Sequence, residues 1–193
     1  RLFNIAGIAI GTDRQTAPGT GIQSWQDPKD GLFYVAVSTS DGLYLYQQKS
    51  ASEWFVRNLT NEISGSQRIA RSLTHFITRD ANRRITIAGL AADGDLVVYQ
   101  QTGAISRGDY VYKFHDVADE YLRPIGKAMP VFVGPLVSYV TPWNGQNIAG
   151  LNASGKIEVI WNTTKTKGYW VHSNLSAITG APAFNGGLTV YQT

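Results

Sequence analysis

The chain has no cysteine among its 193 residues, which removes disulfide staples, thiolate metal sites and a cysteine nucleophile together. Charge is scarce too. Charged residues make up 16% of the chain, so uncharged Ser, Thr, Asn and Gln must supply much of the solvation. The 17 basic and 14 acidic residues leave a net charge of only +3, which gives little reason to expect a nucleic-acid partner. No apolar run reaches the roughly 18 to 20 residues of a membrane helix, so membrane insertion is not expected. The sequence opens on Arg1 without a signal-peptide pattern, as expected of a mature or excised segment. What the chain does hold is 20 glycines, 10 tyrosines and 43% apolar residues. Glycine marks turns and aromatic side chains suit half-buried pleated surfaces, so this composition predicts an all-β protein in one compact unit, without long helices.

The sequence repeats itself. "TIAGLAADGDLVVYQQ" (86–101) aligns with "NIAGLNASGKIEVIWN" (147–162) at a constant shift of 61, which sets Ile87 on Ile148, Gly89 on Gly150 and Gly94 on Gly155. A more divergent copy, "YVAVSTSDGLYLYQQ" (34–48), matches at a shift of 52, with one residue missing after its turn. Each copy is an apolar strand, a short turn carrying Asp-Gly or Ser-Gly, and a second strand, which is the sequence form of a β-hairpin. A further aromatic strand follows each hairpin: "EWFVRNLT" (53–60), "DYVYKFHDV" (109–117) and "YWVHSNLS" (169–176). Trp54, Tyr112 and Trp170 correspond there, as do Asn58, Asp116 and Asn174. A leading strand precedes each hairpin, as in "GIQSW" (21–25), "LTHFIT" (73–78) and "VSYVT" (137–141).

Four short antiparallel strands per unit of about 50 to 60 residues is how a β-propeller blade reads. The predicted blades span 21–60, 72–117 and 137–176, with partial blades at 1–12 ("NIAGI", 4–8) and 184–193 ("LTVYQT", 188–193). Three full blades are fewer than the usual minimum of about four, so the ring is expected to be completed by further repeats or by self-association.

"TPWNGQNIAGLNASGKIEVIW" and "WVHSNLSAITGAP" resemble a propeller-type repeat of very large secreted or surface proteins of bacteria. That repeat reads Thr-Pro-Trp, Asn-Ile-Ala-Gly-Leu, Ser-Gly-Asp-Leu-Val-Val-Tyr and a closing Leu-Thr-x-x-Thr-Gly-x-Pro. The match is close over 138–182, looser over 72–101 and poor before residue 34, and "ADEYLRPIGKAMPVFVGP" (118–135) departs from it. The resemblance implies an extracellular or cell-surface, non-catalytic repeat.

Binding candidates come from side chains that the repeat does not explain. Trp143 lies in a loop beside Asn144 and Gln146, and Trp161 precedes Asn162 where the other copies carry Gln47 and Gln100. Trp with Asn suits carbohydrate, whose apolar ring faces stack on indole while amides bond its hydroxyls. Trp143, Asn144, Trp161 and Asn162 are therefore the expected ligand-binding residues. The recurring Trp54, Tyr112 and Trp170 are expected to pack between blades instead. His115, Asp116, Asp119 and Glu120 form the densest group of metal-ligand types, but adjacent strand residues point to opposite faces, and no metal site or cofactor is assigned. Arg68, Arg71, Arg79, Arg83 and Arg84 could attract an acidic or sulfated glycan, although "RDANRR" also reads as a solvated turn. The Asp-Gly turns lack the ending of the sialidase-type Asp-box and read as hairpin turns. The three histidines lie in strand patterns without a nucleophile or zinc motif. The sequence thus predicts a non-catalytic module that binds a glycan or protein. A purely structural scaffold repeat and a propeller glycoside hydrolase are the alternatives.

Overall fold

The computed structural model describes residues 21–50, 52–106 and 109–190. Within them, the strands form three four-stranded antiparallel sheets in which each strand pairs with its neighbours in sequence. The first sheet comprises β1 (Gly21–Gln26), β2 (Phe33–Ser38), β3 (Leu43–Gln48) and β4 (Trp54–Asn58). The second holds β5 (Arg71–Ile77), β6 (Ile85–Leu90), β7 (Leu96–Ser106) and β8 (Asp109–Asp116), and the third β9 (Phe132–Val140), β10 (Gln146–Asn152), β11 (Ile157–Asn162) and β12 (Val171–Asn174). The Gly of the central hairpin supplies the backbone its turn needs: Gly94 and Gly155 have φ of 95° and 70°, a region costly to residues with a Cβ. Gly94 N donates to Ala91 O and Gly155 N to Asn152 O, closing equivalent turns.

Period-two alternation then sorts the side chains onto faces. Tyr34, Ala36, Leu43 and Leu45 share one face of the first sheet and pack on Ile85, Ile87, Val97 and Tyr99 of the second. The opposite face of the second sheet carries Ala88, Leu90, Leu96 and Val98, which pack on Phe132, Leu136, Ile148 and Ile160 of the third. Burying each large aliphatic side chain contributes about 1.5–3 kcal/mol relative to exposure. Two sandwiched cores therefore hold three sheets in a row.

The leading strands form a seam. Trp25 stacks on the His75 ring at 4.7 Å, and His75 Nδ1 lies 3.0 Å from Gln23 Oε1, joining β1 to β5. Thr74 Oγ1 and Ser138 Oγ lie 2.7 Å apart, and Ser138 Oγ donates to His75 O, joining β5 to β9. At the far edge of each sheet the aromatic strand ends sooner than its sequence predicts, because the matched Asn or Asp caps a helical turn. Asn58 Oδ1 accepts from Asn61 N at the start of α1 (Leu59–Glu62), and Asn174 Oδ1 accepts from Ala177 N at the start of α2 (Leu175–Thr179). Asp116 Oδ1 accepts from Asp119 N in the same way, ahead of a π-helical turn at Ala118–Leu122. A side-chain oxygen that takes up an orphan N–H is what starts a helix.

Gly89 and Gly150 of the repeated Ala-Gly-Leu serve close approach. A Cβ at Gly89 would collide with Ile69 Cγ2, and one at Gly150 would lie 2.5 Å from Phe132 Cδ1. Ile69 lies just before β5 and Phe132 opens β9, so each glycine makes room for the start of the leading strand. The long departure at 118–135 becomes the π turn, a short 3-10 turn at Arg123–Ile125 and the early start of β9. The expected partial repeat at residues 1–12 lies outside the described residues, as do 191–193. Leu188, Thr189 and Val190, expected to open a further strand, are not in one.

Candidate functional site

The three leading hairpins turn at one end of the row of sheets. At that end the β1–β2 turn and the β5–β6 turn enclose a cleft of about 560 Å³, lined by Gln26, Pro28, Ile77, Thr78, Arg79 and Arg83. The wall on the second sheet is a well-ordered turn: Thr78 Oγ1 donates to Asp80 Oδ1, and Asp80 Oδ1 also accepts from Asn82 N and Arg83 N. Arg83 sits at φ 43° with its side chain exposed. Across the cleft Asp27 and Asp30 tie down the other turn by accepting from Lys29 N and Leu32 N. Asp27 is buried, and that burial raises its pKa. No carboxylate lines the cleft, and its lining offers two guanidinium groups.

The β9–β10 turn continues this end. Trp143 is 71% exposed, and its Nε1 lies on the approach to Gly145, whose amide donates to Thr141 Oγ1. Asn144, at φ 61°, accepts from Arg79 N through Oδ1 at 2.7 Å. Trp143 is thus one residue away from a bond to the turn that walls the cleft.

The other two expected binding residues stand apart from one another. Trp161 and Asn162 are neighbours on β11 and point to opposite faces of the third sheet. Trp161 is half-buried, on the face turned away from the second sheet, and its Nε1 donates to Ser173 Oγ at 2.9 Å. Asn162 is buried, and its Nδ2 donates to Gly168 O. The structure therefore brings Trp143 and Asn144 together at the turn end, and sets Trp161 on an outer sheet face.

A second cleft, of about 510 Å³, opens beside the β10–β11 turn. Asn152, Ser154, Gly155, Phe184, Asn185 and Gly186 are among its lining residues. The chain's last described residues reach it because Phe184 N donates to Gly155 O and Lys156 Nζ donates to Ala181 O.

The acidic group that follows β8 is occupied by its own chain. His115 Nδ1 lies 2.7 Å from Glu120 Oε2 and 3.2 Å from the Tyr121 hydroxyl, whose pKa burial pushes up to about 12. Asp116 accepts from Gln67 Nε2 and from Asp119 N, and its burial raises its pKa. Arg123 bonds both Asp119 and Asp95. Among the described residues no group of three or more His, Cys, Asp or Glu is placed to hold a metal ion. Of the five arginines noted in sequence, Arg68 donates to Ser40 O and Arg71 to Phe132 O, Arg79 and Arg83 line the cleft, and half-buried Arg84 donates its amide to Thr78 Oγ1. The cleft itself was not legible in the sequence, because Gln26 and Pro28 are brought to Arg79 and Arg83 only by the packing of two sheets. Also among the described residues, no helix is long and apolar enough to cross a membrane.

No family model matches the chain, and no curated protein matches it. Among solved structures it is similar to a fucose lectin from Kordia zhangzhouensis in complex with methyl-fucoside, at a TM-score of 0.43 and 12% identity, over 79% of this chain and 97% of that one.

Proposed function

We propose that the chain is a β-propeller module of an extracellular or cell-surface protein that binds acidic or sulfated glycans without transforming them. The propeller reading is supported by three sheets of one repeat design, packed in a row and joined along their leading strands. The observation that carries the binding reading is the turn end, where an open indole at Trp143 neighbours a cleft walled by Arg79 and Arg83. An exposed indole offers a sugar ring a flat apolar surface, and guanidinium groups match sulfate or carboxylate by paired N–H donors. Neither of the two clefts described above is lined by Asp or Glu, whereas glycoside hydrolysis calls for a carboxylate pair.

The test is a glycan array probed with the folded chain, beside Trp143→Ala and Arg83→Gln. Both side chains are exposed, so melting temperatures should hold within about 1 °C of the parent, surface changes costing little. Binding to acidic glycans should fall about tenfold or more in each variant, a loss of roughly 1.4 kcal/mol per decade. Binding to neutral glycans alone would remove the arginines from the site, and binding to none would overturn the reading.

A further inference from the structure

The two outer sheet faces of the row repeat the chemistry of the faces already joined inside it. In the first junction, Ile85, Ile87, Val97 and Tyr99 of the second sheet receive the first sheet. The repeat places Phe33, Val35, Tyr44 and Tyr46 at those positions in the first sheet, on the face turned away from the second. There Phe33 is 50% and the neighbouring Ile22 66% exposed, Val35, Val37, Tyr44 and Trp54 are half-buried, and Tyr46 is buried. In the second junction, Ala88, Leu90, Leu96 and Val98 of the second sheet receive the third. Their counterparts in the third sheet are Ala149, Leu151, Ile157 and Val159, again on the face turned away. Ala149, Leu151 and Val159 are buried; Val133, 43% exposed, lines the second cleft with Leu151 and the 184–188 segment, and Val137, Ile157, Trp161 and Val171 are half-buried.

We infer that the outer face of the first sheet docks onto the outer face of the third sheet of a second copy of this chain, head to tail, forming a dimer. The occupant is set by the internal junctions. A face built like that of Ile85 and Ile87 already packs against one built like that of Leu43 and Leu45, and among the described residues one face of each kind packs on no other sheet. A head-to-tail contact repeated about a two-fold axis closes on itself, so both outer faces are used and no edge is left to propagate. Rings of four-stranded sheets run from about four to eight. The three sheets of the described residues fall short of that range, and the six of two copies lie within it. Trp161 then becomes an interface residue, which accounts for an indole where the inner copies have Gln47 and Gln100. Aromatic residues concentrate at the desolvated centres of such contacts.

The inference is independent of glycan binding and is tested without it, by sedimentation and light scattering of the chain, of Phe33→Glu and of Ile157→Lys. The parent is expected to be a dimer. Each variant should remain folded by circular dichroism, since Phe33 is half exposed and Ile157 half-buried, and should weaken self-association about a thousandfold because it spoils both junctions of the ring. Mixing the two variants should restore a dimer, because one junction then pairs two unaltered faces and the other brings opposite charges together. A monomeric parent overturns the inference. So does a dimer that survives both variants, or one lost in a single variant only, which would mean that like faces meet.

Discussion

The middle sheet and the two flanking it follow one sequence pattern, yet they differ in how completely their faces are covered. Ile85 and Ile87 are fully buried, while their counterparts Phe33 and Val35 in the first sheet are half exposed and half-buried; Tyr99 and its counterpart Tyr46 are both buried. Trp54 differs from Tyr112 and Trp170 in the same sense: the latter two are 5% and 2% exposed, and Trp54, on the outer face, is half-buried. Identity at a repeat position is therefore a guide to which way a side chain points, and position in the row decides what covers it. The energetic weight of the array falls on the middle sheet, both of whose faces are cores.

The largest test of that contrast is truncation on the covered face of the middle sheet and on the outer face of the first. Tyr99→Ala removes a buried ring together with its hydroxyl contacts to Thr60 Oγ1 and Gln67 O. It should cost about 3–5 kcal/mol in urea unfolding. Val35→Ala, on the outer face, should cost about 1 kcal/mol or less in the monomeric Phe33→Glu background. Equal costs would mean that the outer face is as tightly covered as the inner one.

Glycine substitution sharpens the comparison within the second sheet. Gly89→Ala sets a Cβ against Ile69, just before the leading strand, and should destabilise by about 1–3 kcal/mol. Gly103→Ala, with nothing within 4 Å of the added carbon, should be neutral or slightly stabilising. The first sheet has Val37, half-buried, at the position of Gly89.

A smaller effect separates the caps. Asn58→Ala removes a side-chain acceptor from a helix start and should cost about 1 kcal/mol; Asn174→Ala should cost more than that, because Glu158 Oε1 also loses the Asn174 Nδ2 donor. Asp116→Ala should also cost more, because Gln67 Nε2 loses its acceptor. Melting curves of the three variants measure the difference directly.

These residues also show how far the sequence could be read. The hairpins, their register and the inward set Ile87, Ile148 and Leu96 were legible because a fixed shift aligns alternating strands, and alternation is geometry. The capping role of Asn58, Asp116 and Asn174 was visible only as recurrence. A strand that runs into a cap and a strand that simply continues look alike until the i+3 amide is seen to bond. Trp143 stood out as an unexplained aromatic in a turn, and its exposure is what such a turn produces. Its link to Arg79 was hidden because residues 79 and 144 meet through packing between sheets, which no local spacing encodes. Trp161 was singled out for departing from Gln47 and Gln100, but the face it occupies depends on register, and whether that face is open depends on which surface packs beyond the third sheet.

The smallest expected effect lies at the seam of leading strands, where His75 is held between Trp25 and Gln23. Burial lowers its pKa below the ordinary 6.5, so the folded protein resists a proton that the unfolded chain accepts. Above pH 6.5 the imidazole is neutral in both states and costs nothing. As the pH falls below 6.5 the unfolded chain binds the proton first, and stability is lost progressively until the folded-state pKa is passed. The melting temperature should therefore decline as the pH falls below about 6.5. In His75→Gln, which keeps an amide within reach of Gln23, that decline should be shallower. An unchanged slope would place the acid sensitivity elsewhere, at a group that does not join the first sheet to the middle one.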